Sequence, residues 1–220
     1  MTEPTEPSPN TPNAPDAPDV ERFARALAAI DAANAEDPRR DDGQPKELRY
    51  SQRMSEMLRR FAPQADEAVQ LAVRAQHIRR WTVPRDSFPL NNEGYHRWRT
   101  SLYRLHAETA GELLRAAGYD AATVARVEQA VAKRGLRHNP ETQLLEDVAS
   151  LVFLEHYLGD FAAGKPDYSE EKWCDILRKT WRKMSPAARG FALSDALRLP
   201  AALRPLVLRA VADEAAGNDQ

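Results

Sequence analysis

Ionisable side chains stand at helix positions that this chain has to bury. From Glu141 onward, Leu144, Val148, Leu151, Leu154 and Leu158 form one stripe of a helix turning about 100° per residue. Asp147 and Glu155 fall inside that stripe. Between Tyr95 and Ala117 the stripe is Trp98, Leu102, Leu105, Ala110 and Leu113, with His106 near its middle. A carboxylate in an apolar interior is costly unless something compensates it. Such a chain must therefore pair these groups inside its core or hold them as a site between helices.

The helical period dominates the rest of the sequence, and no strand alternation competes with it. The pattern predicts helices over 20–35, 46–61, 66–80, 93–117, 120–133, 140–157, 170–184, 186 onward and 201–212. Asp120 and Asn139-Pro140 supply N-terminal caps, and Ser185-Pro186 opens a further helix. Gly118 and Gly135 close two of them. The predicted fold is all-α, a single-domain helical bundle over residues 20–212. Residues 1–19 hold six of the 16 prolines and predict a disordered acidic tail. The end, 213–220, is expected to fray.

Composition narrows the function classes. At 220 residues and 42% hydrophobic, the chain can bury one good core. No apolar run approaches the roughly 18 residues of a membrane span, and the acidic start does not read as a secretory signal. A lone Cys174 fits a reducing compartment, so a cytoplasmic protein is expected. A net charge of −2 gives no electrostatic case for nucleic acid. Oligomeric state is not legible. The sequence carries no zinc-finger spacing, H-E-x-x-H, Gly-rich phosphate loop or G-x-S-x-G.

What remains is His77, His106 and Asp147, each on its own helix. Imidazole and carboxylate together suit Zn, Mn or Fe. Arginines crowd the same stretches: Arg74, Arg79, Arg80, Arg97, Arg99 and Arg104. Guanidinium forks bind phosphate, and Trp81 or Trp98 offers a stacking face. The ordinary reading stands beside this one. Asp147 and Glu155 could be core ion pairs, and the arginines a solvated face.

Three stretches carry a resemblance. Ala72-x-x-Ala75-Gln76-His77, Leu105-His106-Ala107-Glu108 and Glu146-Asp147-Val148 resemble, in order and spacing, the HD-domain superfamily of helical metal-dependent phosphohydrolases. More closely, Gln76-His77-Ile78-Arg79-Arg80-Trp81, Glu146-Asp147, Phe153 through Tyr157, and Ile176 through Trp181 are similar to domain-of-unknown-function family 4202. The HD resemblance implies a bound divalent metal and hydrolysis of a small phosphorylated, nucleotide-like substrate. Carried onto this chain, His77, His106 and Asp147 would hold the metal. Arg79, Arg80, Trp81 and Arg99 would hold the substrate, and Glu108 or Glu155 would move the proton. Two positions depart from that pattern. Ile78 stands where an Asp follows the His, and Tyr50 stands where the first His belongs. So either the metal site has moved toward His106, with Glu108, Glu155 or His138 helping, or it has been lost. In the second case the scaffold would be a nucleotide- or protein-binding regulatory module.

Overall fold

A computed structural model of the protein describes residues 17–217. The expected Pro-rich tail therefore lies almost wholly outside the described residues, as does the last part of the expected frayed end. In chain order the helices are α1 (Ala17–Ala35), α2 (Lys46–Phe61), α3 (Glu67–Ala75), α4 (Asn92–Ala117) and α5 (Ala121–Val131). After them come α6 (Pro140–Val152), α7 (Leu158–Ala163), α8 (Glu170–Trp181), α9 (Pro186–Leu193) and α10 (Arg204–Gly217). The fold is one all-α domain.

Capping side chains set most of these boundaries. Asp66, Asn91, Asp120, Asn139, Ser169 and Ser185 each accept a hydrogen bond from a backbone N–H in the first turn they precede. Each such cap stabilises its helix by about 1 kcal/mol. Gly118 ends α4 at φ 92°, the left-handed conformation that favours glycine.

At the centre is α3, buried along nearly its whole surface through Ala68, Val69, Leu71, Ala72, Val73 and Ala75. Its partly exposed residues, Glu67, Gln70 and Arg74, share one narrow strip, so the rest of the helix must be covered. It packs against α1, α2, α5 and α6, and Ile30, Met54, Leu71, Val127, Leu145 and Leu151 fill the space between them.

Three departures from the predicted boundaries shape the site. First, α3 stops at Ala75 rather than running to Arg80. A chain of turns follows, Arg79 takes a left-handed φ of 52°, and a short 3-10 turn covers Arg80–Thr82. His77 thus sits on a turn and not on a helix. Second, Asp42-Gly43 forms a tight hairpin with φ 50° and 79°, pairing β1 (Arg40–Asp41) with β2 (Gln44–Pro45). Asp-Gly is the residue pair such a turn favours, and this hairpin delivers the first turn of α2. Third, α6 passes through a π-helical turn, Phe153–Tyr157, before α7.

The segment Val83–Asn91 folds back over the start of α4. Gly94 is required there, because a Cβ would lie 2.0 Å from the Pro89 carbonyl oxygen. Among the described residues, no helix is long and apolar enough to cross a membrane.

Candidate functional site

The turn after α3 carries His77 into a network of paired charges. Tyr50, from α2, stacks flat on the His77 ring, with centroids 4.1 Å apart and planes 14° from parallel. Arg80 Nη1 lies 3.1 Å from His77 Nε2. A guanidinium can only donate, so Nε2 is the acceptor and Nδ1 bears the proton. That Nδ1 lies 3.4 Å from Glu47 Oε2.

Glu47 is buried in the first turn of α2. Arg39 donates to its other oxygen at 2.8 Å, and its backbone N–H donates to Asp37 at 3.1 Å. Burial raises the Glu47 carboxyl above its usual range, with Arg80 and Arg39 opposing that shift. Burial, followed by Arg80, lowers His77 well below 6.5. The imidazole is neutral at neutral pH.

His106, from the middle of α4, is 2% exposed. Its ring centroid lies 5.9 Å from that of His77. Its Nδ1 is 2.7 Å from the Ile78 carbonyl oxygen. A carbonyl can only accept, so Nδ1 carries the proton here too. Burial, reinforced by His77, lowers the His106 pKa to about 3. The ring is neutral, its Nε2 is a bare lone pair, and that atom is buried without a hydrogen-bond partner. Gln76 Oε1 is buried and unpartnered as well.

Two chambers meet at His77, Arg80 and Trp98. The inner one, about 240 Å³, is lined by Gln76, His77, Arg80, Arg99, Tyr103, His106 and Lys133, among others. The outer one, about 580 Å³, is walled by Tyr50, Trp81, Trp98, Phe153 and Tyr157 with Arg39, Lys46, Glu47 and Arg85. Arg80 lies over the Trp98 ring, 4.9 Å from its centroid, and Trp98 Nε1 donates to the Val83 carbonyl.

Lys133 enters the inner chamber from the end of α5, where it holds a left-handed φ of 55°. That conformation costs a non-glycine residue roughly 1 kcal/mol. Its ammonium pairs with the buried Glu146.

The residues singled out from sequence divide between this cleft and other tasks. His77, His106, Arg80, Trp81 and Arg99 line the chambers. Arg79 turns away toward Glu36, at 3.4 Å. Glu108 is exposed on α4 beside Arg104, so it is not placed to move a proton in the cleft. Glu155 is buried, but both of its oxygens are taken by Arg60, and the Arg198 N–H donates to one of them. His138 is exposed.

Asp147 is 3% exposed, as the stripe implied, yet its contacts lie elsewhere. Its Oδ1 accepts from the Ser185 backbone N–H at 2.8 Å and from Gln143 Nε2 at 2.9 Å. It therefore fastens the turn that opens α9. Burial raises its pKa against these hydrogen bonds.

This arrangement does not fit a divalent ion. Among the described residues no three His, Cys, Asp or Glu side chains gather as a metal ion requires. The lone pair of His77 points at a guanidinium, and the inner chamber is walled by cations. Asn at position 147 keeps a carbonyl oxygen for Ser185 and removes a desolvated charge. We expect Asp147→Asn to unfold in urea near the wild-type midpoint, while Asp147→Ala loses about 1–3 kcal/mol. Equal losses in the two variants would show that the charge itself holds the turn.

Glu47 and Lys133 are cleft residues that the sequence reading does not single out. Glu47, Ser51, Met54 and Leu58 are all buried on one stripe of α2, the same signal that exposed Asp147 and His106.

The family Domain of unknown function (DUF4202) matches residues 24–207 of the chain. No curated protein and no solved structure matches it. The matched span covers most of the bundle and every residue of the cleft, and the chain belongs to this family.

Proposed function

For this DUF4202 protein we propose that the two-chambered cleft binds a small phosphorylated, nucleotide-like ligand. The phosphate sits in the inner chamber and a planar ring in the outer one. One observation carries this reading. Among the described residues, Arg39, Arg49, Arg53, Arg60, Arg74, Arg115 and Arg126 each have a carboxylate within ion-pair distance. Arg80 and Arg99, both half-buried, instead meet a neutral imidazole and a phenol. Both act through space on buried carboxylates, Arg80 on Glu47 and Arg99 on Glu146, but neither has a carboxylate of the described residues within ion-pair distance, which leaves N–H donors able to turn to an anion. The outer chamber lies within the roughly 300–1,000 Å³ range of small-molecule sites and has aromatic walls. This is the reading of a ligand-binding module, and it needs no metal.

The Glu47–His77 contact supports a second reading, hydrolysis. A phosphate that draws Arg80 off His77 would free Nε2, and Glu47 would hold the imidazole in the tautomer that can take a proton from water. Water would then attack phosphorus, its proton would pass to Nε2, and the phosphorus–oxygen bond to the leaving group would break.

A thermal-shift screen of nucleotides and phosphoesters, with and without Mn or Zn, tests both readings. Stabilisation by phosphorylated ligands in the absence of metal is the expected result. No stabilisation by any anion would sink the phosphate reading. Release of inorganic phosphate by wild type and not by His77→Gln would decide for hydrolysis over binding alone.

A further inference from the structure

The inner chamber asks for more than an anion. Its cations account for negative charge, yet two of its lining residues present acceptors. His106 is held in one tautomer by the Ile78 carbonyl, so its buried Nε2 has a lone pair and nothing to receive. Gln76 Oε1 is buried in the same condition. A buried acceptor left without a donor is costly, so a ligand that satisfies it gains affinity. Phosphate oxygens cannot do so, because as dianions they only accept. A cationic donor is disfavoured as well, since Arg80, Arg99 and Lys133 line the same space. The donor that fits is a neutral hydroxyl.

We propose that the ligand carries a sugar or polyol hydroxyl next to its phosphate and that this hydroxyl donates to His106 Nε2, with Gln76 Oε1, on the lining of the same chamber, as a second acceptor. The inference rests on the inner chamber being the phosphate site. It makes His106 a residue that reads the ligand's sugar, where the HD resemblance made it a metal ligand. Discrimination of this kind is steep, because a site built around a hydrogen bond penalises the analogue that lacks the group.

The probes are methyl phosphate, which has the anion and no hydroxyl, and ribose 5-phosphate, which has both. Binding is measured by calorimetry on chelator-treated full-length protein. Ribose 5-phosphate should bind at least about tenfold more tightly, the worth of one hydrogen bond. In His106→Leu and in Gln76→Leu that margin should shrink toward unity while methyl phosphate binding holds. The wild-type comparison stands even if one variant fails to fold.

Equal binding of the two probes by wild type would overturn the inference and leave the phosphate site intact. Binding of neither would instead defeat the phosphate site itself. Tight binding of Zn or Mn alone, lost in His106→Leu, would also overturn it by assigning the lone pair to a metal.

Discussion

Glu155→Ala should destabilise the protein by about 3–5 kcal/mol, the cost of removing one partner from a buried ion pair. At 2–4 °C per kcal/mol for a chain of this size, that is of order 10 °C in melting temperature. The carboxylate is 3% exposed at its side chain, and the Arg60 guanidinium grips it with two hydrogen bonds of 2.7 and 3.1 Å. The Arg198 N–H adds a third at 2.9 Å, and Arg60 also donates to the Ala196 carbonyl. One carboxylate thus ties the last turn of α2 to the π-helical turn and to the loop beyond α9. Removing it leaves Arg60 half-buried without its carboxylate and the Arg198 N–H unanswered. Burial alone would raise the Glu155 pKa, but Arg60 and the Arg198 N–H together bring it below the usual range. A depressed carboxylate contributes stability above its unfolded pKa of about 4.3 and loses it as pH falls through the folded value. The gap between wild type and Glu155→Gln should therefore be full at pH 7, begin to shrink as pH falls through about 4.3, and vanish only below the lower folded value. Urea midpoints across that range check it, and a gap under about 1 kcal/mol at pH 7 would show that the clamp is not structural. Replacing both partners with apolar residues should recover much of the loss, since a buried pair is costly to assemble and costlier to break.

The same clamp shows what the sequence could and could not tell. Apolar spacing was enough to place Asp147, Glu155 and His106 in the interior, because a helix has one face to bury and these residues lie on it. Their partners were not legible. Arg60 is 95 residues from Glu155, and Ser185 is 38 residues from Asp147. No local pattern encodes which of several arginines or backbone N–H groups arrives. Neighbouring positions were equally ambiguous. Glu146 and Asp147 are both buried, yet Glu146 pairs with Lys133 at the cleft while Asp147 holds a turn. A rotation of 100° between adjacent residues separates the two roles, which is within the error of a wheel drawn before the neighbours are known.

The caps were more readable. Asp120, Asn139-Pro140 and Ser185-Pro186 act within three residues of themselves, and the helices begin where they indicate. The end of α3 was the costly miss. Nothing about Arg79 favours a left-handed φ of 52°, so the sequence does not separate Arg79 from Arg80, and only Arg80 lines the cleft.

Arg80→Ala should weaken phosphate-bearing ligands by about 1.5–3 kcal/mol, the scale of a charge-assisted hydrogen bond. That is a loss of roughly 10- to 150-fold in affinity. Arg79→Ala should leave binding unchanged, because Arg79 faces Glu36 and not the cleft. The contrast between adjacent arginines separates a specific site from a general loss of positive charge, which both variants share. Arg80 borders both chambers and rests on Trp98, so Arg80→Lys should recover only part of the affinity. An ammonium keeps the charge but loses the planar fork and the stacking. A second readout follows from His77. Arg80 is the largest charged contributor holding that imidazole below 6.5, after burial, and it also donates to Nε2. In Arg80→Ala the His77 pKa should rise, visible as a titration of its ring protons by NMR, with Glu47 now free to favour the imidazolium. Unchanged phosphate affinity in Arg80→Ala together with a shifted His77 would mean that this arginine serves the network and not a ligand. The anion site would then have to be sought at Arg99 and Lys133.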